Sequence, residues 1–299
     1  MPSKLNRVLF MVLAMQSLAC GTAWPIWAAD PIPVFVSIAP QQYIVQQIGA
    51  ERVAVQVLVP PGADAHTYEP KPGQMAALTK TRLYFSIGIS FEKVWLPRIA
   101  AASPGMKIVA ADQGIEKMPM DHRGHDDAPG HHPGHDDETL DPHIWLSPPL
   151  IQTMAATIRT ALAQSEPAQA ARFEQNYQRF AQQLDDLDRQ IRTLLADKQG
   201  TRFIAFHPSW GYFARTYGLI QIPIELEGKE PKPAQMRHLI QEAQEMKITV
   251  IFAQPQFSTR SAQVIAEAIG GRVVLADDLA ADLPDNLLRQ AQAFKSAVR

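Results

Sequence analysis

Of 299 residues only one, Cys20, is a cysteine. A single thiol cannot close an intrachain disulfide, so the architecture is not the stapled kind found in small secreted domains. Charge of one sign is equally scarce. The 28 Lys and Arg residues face 30 Asp and Glu, for a net charge of -2 and no sustained basic run. That balance argues against nucleic acid as a partner. No apolar run approaches the roughly 20 residues of a membrane-spanning helix. There is also no HExxH pair, the helix-borne signature of many zinc hydrolases. What remains is ordinary globular composition, 46% hydrophobic and 19% charged, long enough for two domains with cores of their own.

The first 29 residues stand apart. Lys4 and Arg7 precede the apolar stretch Val8–Met15, and small residues follow through Ala29. This is the layout of a secretory signal peptide, which predicts a periplasmic protein. Cys20 lies in the cleavage zone within Ser17-Leu-Ala-Cys20, a loose version of a lipoprotein box. A membrane-anchored lipoprotein through Cys20 is the alternative.

Beyond the signal, short aliphatic runs alternate with helical patterns. Strands are expected at Pro33–Ile38, Val53–Val59, Leu83–Ile87 and Lys107–Ala110, with helices at Gln41–Ile48, Gln74–Thr81 and Phe91–Ala102. Ser147-Pro-Pro reads as an N-cap followed by proline at the first helical position. A second alternating series starts at Arg202–Phe206 and ends in a helix from about Pro284. Between the two series, Phe173, Tyr177, Phe180, Leu184, Leu187, Ile191 and Leu194 step by fours and threes. No Gly or Pro interrupts Ala168–Lys198, which predicts one helix of about 45 Å at about 1.5 Å per residue. The expected fold is α/β: two doubly wound lobes, 30–166 and 199–299, joined by a long backbone helix over 167–198.

Histidine is where the chain is unusual. Five of the nine, His122, His125, His131, His132 and His135, fall in the 18 residues Asp121–Glu138 among aspartates, glycines and prolines. A segment without hydrophobic periodicity is expected to be a loop, and its composition suits weak, auxiliary binding of divalent metal. His238 sits within an expected helix and reads as a surface residue. The other three lie at element ends. His66 follows the strand ending near Val59, His143 precedes the capped helix, and His207 directly follows Arg202–Phe206. Ligands in open α/β sheets bind beyond the carboxyl ends of strands. Asp277 follows the expected strand Arg272–Leu275 in the same way, with Asp278 as its immediate competitor. Three imidazoles and a carboxylate make a donor set suited to Zn2+ and poor in the oxygens that calcium or magnesium requires.

The segments carrying these residues are Pro61-Gly-Ala-Asp-Ala-His-Thr-Tyr-Glu-Pro70, Asp141-Pro-His-Ile-Trp-Leu-Ser-Pro148, Phe206-His-Pro-Ser-Trp-Gly-Tyr-Phe213, Glu227-Gly-Lys-Glu-Pro231, Phe252-Ala-Gln-Pro-Gln-Phe-Ser258 and Val274-Leu-Ala-Asp-Asp-Leu279. In order and spacing they resemble the cluster A-I solute-binding proteins, the metal receptors of zinc and manganese ABC importers. The similarity covers essentially the whole mature chain and is strongest to the zinc group.

The resemblance implies a non-enzymatic receptor that captures Zn2+ outside the cytoplasmic membrane, in a cleft between its lobes, and delivers it to an ABC importer permease with its ATPase. A monomer is expected, and a metallochaperone is a further possible partner. Carried over, the family's ligands fall on His66, His143, His207 and Asp277. The Asp-Asp-Leu here, where Asp-Pro-Leu is more usual, keeps Asp278 in play. The manganese branch commonly has glutamate at the third position, so His207 favours zinc. Alternatives are a manganese or iron receptor of the same family, a zinc hydrolase using Glu69 or Glu227 as base, and a surface adhesin or zinc buffer.

Overall fold

The computed structural model describes residues 30–120, 140–225 and 231–297. The expected signal segment with Cys20, the histidines of 121–138, and Glu227 lie outside the described residues.

Each series of alternating elements forms its own four-stranded, wholly parallel sheet. The first holds β1 (Ile32–Val36), β2 (Val53–Val57), β3 (Leu83–Ser86) and β4 (Lys107–Ala110) in the order β2-β1-β3-β4. The second holds β5 (Arg202–Ala205), β6 (Ile220–Pro223), β7 (Val250–Ala253) and β8 (Arg272–Leu275) in the order β6-β5-β7-β8. Register follows from the apolar runs: Val34 pairs Val55 on one side and Leu83 on the other, and Ile204 pairs Ile222 and Ile251. The central strands are buried on both faces, which is why they read as continuous aliphatic runs without alternation. In both sheets the order reverses beside the first strand, and such a switch point opens a crevice at the strands' carboxyl ends.

Helices cover the sheets: α1 (Ala39–Gly49), α2 (Pro72–Leu78), α3 (Ser90–Ala102) and α4 (Pro148–Ser165) in the first series, and α6 (Gly211–Tyr217), α7 (Pro233–Glu245), α8 (Arg260–Ala268) and α9 (Leu283–Ala297) in the second. Between them runs α5 (Ala170–Leu194), 25 residues long. It is shorter than the expected Pro167–Lys198. Pro167–Gln169 and Ala196–Lys198 turn as separate 3₁₀ segments, the tighter winding common at helix ends, and Leu195 between α5 and the second of them is still buried. Phe173, Phe180, Leu184, Leu187 and Ile191 are buried along one stripe. Asn176 Nδ2 donates to Ile48 O of α1 (2.9 Å), and Lys295 Nζ of α9 donates to Leu194 O (2.8 Å). One apolar core runs from the first sheet through α4 and α5 to Phe203, Trp210, Phe252 and Phe294 of the second, and a smaller cluster lies on that sheet's far side. Ser147 stands before α4, but its hydroxyl makes no cap bond and instead meets Thr216 Oγ1 of α6 (2.9 Å).

Candidate metal centre

His66 lies between β2 and α2, on a stretch pinned at both ends. Gln74 Nε2 donates to Leu58 O (2.6 Å), while Gln74 Oε1 accepts from Lys71 N (2.9 Å) and the Tyr68 hydroxyl (2.7 Å). Asp64 shapes the tip. Its Oδ1 accepts from His66 N (2.8 Å) and its Oδ2 from the Thr67 hydroxyl (2.7 Å). An aspartate accepting the backbone N–H two residues on is an Asx turn. The same device recurs at His143, where Asp141 Oδ1 accepts from His143 N (2.8 Å). A third copy holds Leu279 N to Asp277 Oδ1 (3.0 Å).

These turns bring the three histidines together. Their ligand nitrogens lie within 4.8 Å of one another, the one such cluster of metal-binding groups among the described residues. His143 and His207 are buried, while His66 is half-buried. The Nε2 atoms of His143 and His207 stand 3.3 Å apart. Each buried ring has a carboxylate behind it: Asp141 Oδ1 is 2.7 Å from His143 Nδ1, and Glu225 Oε2 is 3.0 Å from His207 Nδ1. His66 Nδ1 faces the Ser90 hydroxyl at 3.4 Å. A carboxylate on Nδ1 keeps the proton there and aims the Nε2 lone pair into the cluster. The spacing Asp141-x-His143 could have revealed this support from sequence, whereas Glu225 carried no local signal.

The electrostatics of the cluster are divided. Burial, then repulsion from His207 and His143, depresses His66 to about 3, with Asp64 pulling weakly the other way. Burial and the neighbouring His207 and Lys117 charges drive His143 well below the ordinary imidazole value. Burial acts downward on His207 too, but the hydrogen bond and charge of Glu225, with Asp278 and Asp141, outweigh it and raise that ring. His207 thus holds a proton more readily than either of its neighbours. A divalent cation bound by these nitrogens competes with protons for their lone pairs.

The cavity among these rings measures about 10 Å³, room for a single water-sized occupant. Trp145, Phe257 and Leu279 wall it, and Asp278 lines it. Asp278 is 4% exposed, and burial raises its carboxyl to about 6 against the attraction of His207. Trp145 Nε1 donates to Asp278 O (2.6 Å), fixing that backbone. Asp277, the expected fourth ligand, stands outside the cavity lining. Its Oδ1 accepts from Leu279 N (3.0 Å) and Gln256 Nε2 (2.7 Å), and it does not belong to the histidine cluster. The adjacent Asp278 lines the cavity without belonging to that cluster, and its carboxyl is hydrogen-bonded to Ser209. Glu69 is exposed and lies outside the cavity lining.

Two α/β lobes with a small, nitrogen-rich pocket beyond their strand ends define a metal-binding solute receptor. Comparison with known proteins takes this further. Residues 34–296 match the family described as ZnuA, the periplasmic component A of a zinc-uptake complex. The high-affinity zinc uptake protein ZnuA of Bacillus subtilis is 31% identical over 91% of this chain and 88% of its own length. A crystal structure of ZnuA superposes with a TM-score of 0.83 at 42% identity, covering 90% of this chain and 100% of the other. A crystal structure of a ZnuA deletion mutant with zinc bound gives 0.82 at 42% identity, covering 90% and 98%. The chain belongs to this zinc-uptake family. It is an extracytoplasmic zinc-binding receptor serving an ABC-type importer with its permease and ATPase, and the manganese, hydrolase and adhesin alternatives are not favoured. No helix among the described residues is long and apolar enough to cross a membrane.

Proposed function

We propose that His66, His143 and His207 hold the transported Zn2+ through ring nitrogens, with Asp278 rather than Asp277 as the acidic group facing the ion. The convergence of three imidazole nitrogens within 4.8 Å carries this reading. Zinc takes four ligands in a tetrahedron, and three neutral nitrogens with one buried carboxylate match its chemistry. The half-buried His66 forms the solvent side, so the ion meets it first and then the facing Nε2 atoms of His143 and His207. Asp141 and Glu225 hold the two inner rings for that step.

The chain acts as a carrier and not as a hydrolase. A carboxylate at the fourth position leaves no site for an activated water. We also propose that residues 1–29 are removed on export, that the lobes comprise 30–166 and 199–299 about a 167–198 link, and that the receptor works as a monomer. The auxiliary histidines at 122, 125, 131, 132 and 135 would offer weak zinc sites, from which, or from a metallochaperone, the cleft is loaded.

Competition titration with a zinc chelator tests the assignment. His66→Ala, His143→Ala and His207→Ala should each lose the tight site, and wild-type affinity in any one removes that residue from it. Hydrolysis of a peptide or ester substrate by the zinc-loaded protein would overturn the carrier-only reading.

A further inference from the structure

The segment that supplies His207 continues straight into a contact with the support of His143. Gly211 and Tyr212 open α6, four and five residues after His207. The Tyr212 hydroxyl donates to Asp141 O (3.0 Å) and accepts from Met118 N (2.9 Å). Asp141 N in turn donates to Met118 O (2.8 Å), and Pro119 bridges Leu140 in antiparallel fashion. One phenol thus ties two passing stretches of chain, 118–119 and 140–141, to the first turn of α6. Tyr212 is itself 3% exposed, so this hydroxyl has no ready substitute in water.

Gly211 completes the arrangement on the other side of the same aspartate. A Cβ there would stand 2.9 Å from Asp141 Oδ2 and 3.6 Å from Met118 Cε. The missing side chain is what lets the carboxylate lie against α6 while its other oxygen holds both His143 N and His143 Nδ1.

We infer that Tyr212 and Gly211 are positioning residues for zinc capture: Tyr212 holds Asp141 by its backbone carbonyl, Gly211 leaves the room its carboxylate occupies, and through Asp141 both fix the ring of His143. Neither touches the ion. The clamp makes one stretch of the second lobe, 207–212, responsible for two of the three imidazoles, one directly and one through Asp141. This rests on the reading of His143 as a zinc ligand.

The test uses the mature protein with Tyr212→Phe, Gly211→Ala, His143→Ala and, as control, Tyr217→Phe. Tyr217 lies on the same helix but packs on Phe213 (4.7 Å between rings), away from Asp141. Chelator competition and stopped-flow release give affinity and dissociation rate, and imidazole nitrogen NMR of the metal-free protein reports the protonation site and setting of His143. Tyr212→Phe and Gly211→Ala should each weaken zinc by about tenfold, the lower end for outer supports of a metal site. Both should speed release and move the His143 signals, with Tyr217→Phe leaving all three unchanged. Wild-type affinity, release and His143 signals in both clamp variants would overturn the inference, even if their melting temperatures fall. Should Tyr212→Phe not fold, Gly211→Ala decides by the same readings. Retention of zinc by His143→Ala would instead overturn the ligand assignment itself.

Discussion

Exchanging the acidic neighbours Asp277 and Asp278 one at a time for asparagine separates two roles that sequence proximity confounds. Asp278 is 4% exposed, lines the cavity and attracts His207. Removing one member of a buried charge pair typically costs about 3–5 kcal/mol. At about 1.4 kcal/mol per tenfold in Kd, the low end of that range is roughly 100-fold. We expect the low end for Asp278→Asn, because the amide oxygen can still approach the cation. Asp277→Asn retains an oxygen able to accept from Leu279 N and Gln256 Nε2, so its zinc affinity should stay within about threefold, as befits loss of one charge-assisted bond outside the cavity. Competition against a high-affinity chelator at pH 7.5 measures both, with metal-free melting curves recorded alongside. A larger loss in Asp277→Asn than in Asp278→Asn, without a matching loss of fold, would refute the placement of Asp278 at the ion.

Three further outcomes follow from the same geometry. Zinc binding should weaken as pH falls, starting above about 6.5, since His207 has a raised affinity for the proton that zinc must displace; affinity should approach a tenfold fall per pH unit below its titration. Glu225→Gln should move that onset downward, and a Kd flat from pH 8 to 5.5 would contradict the nitrogen-donor site. Deleting 121–138 should leave one tight zinc per protein by calorimetry while abolishing weaker binding, because sites on an unpatterned segment must order about 1–2 kcal/mol worth of backbone per residue. Glu92 is buried and accepts from Ile87 N, Gly88 N and the Ser37 hydroxyl, and burial raises it to about 7. The folded chain then holds more protons than the unfolded one between about pH 4.5 and 7, so its contribution to stability falls as pH rises through that window. Denaturant melts of Glu92→Gln should show a shallower decline from pH 5 to 8 than wild type, and an unchanged slope would dismiss Glu92 as the source.

Much of the architecture was readable because parallel strands buried on both faces leave aliphatic runs that little else produces. Lys107–Ala110 and Arg272–Leu275 match the observed strands at both ends. Element termini were harder to place. No Gly or Pro lies within 168–198, yet α5 ends at Leu194 and the chain tightens into a 3₁₀ turn with Leu195 still buried, a change of winding that the stepping of apolar residues does not encode. Histidines at strand ends stood out for the same reason the strands did. Asp277 and Asp278 could not be told apart, since both follow β8 and their different surroundings, Leu279 N at Asp277 Oδ1 and the cavity at Asp278, are tertiary. Glu225 and Tyr212 escaped notice because their partners lie 18 and 71 positions away in the chain.

The apolar core that passes from Val34 through Phe180 and Leu184 to Phe252 and Phe294 has a thermodynamic consequence. Lobes with separate cores melt in separate steps, whereas here neither sheet can lose its packing without stripping α5 from the other. Calorimetry of the metal-free receptor should accordingly show a single endotherm whose calorimetric and van't Hoff enthalpies agree. Bound cargo should shift that one peak as a whole, by an amount set by RT ln(1 + [Zn2+]/Kd), so the melting temperature of the entire molecule becomes a gauge of its cargo.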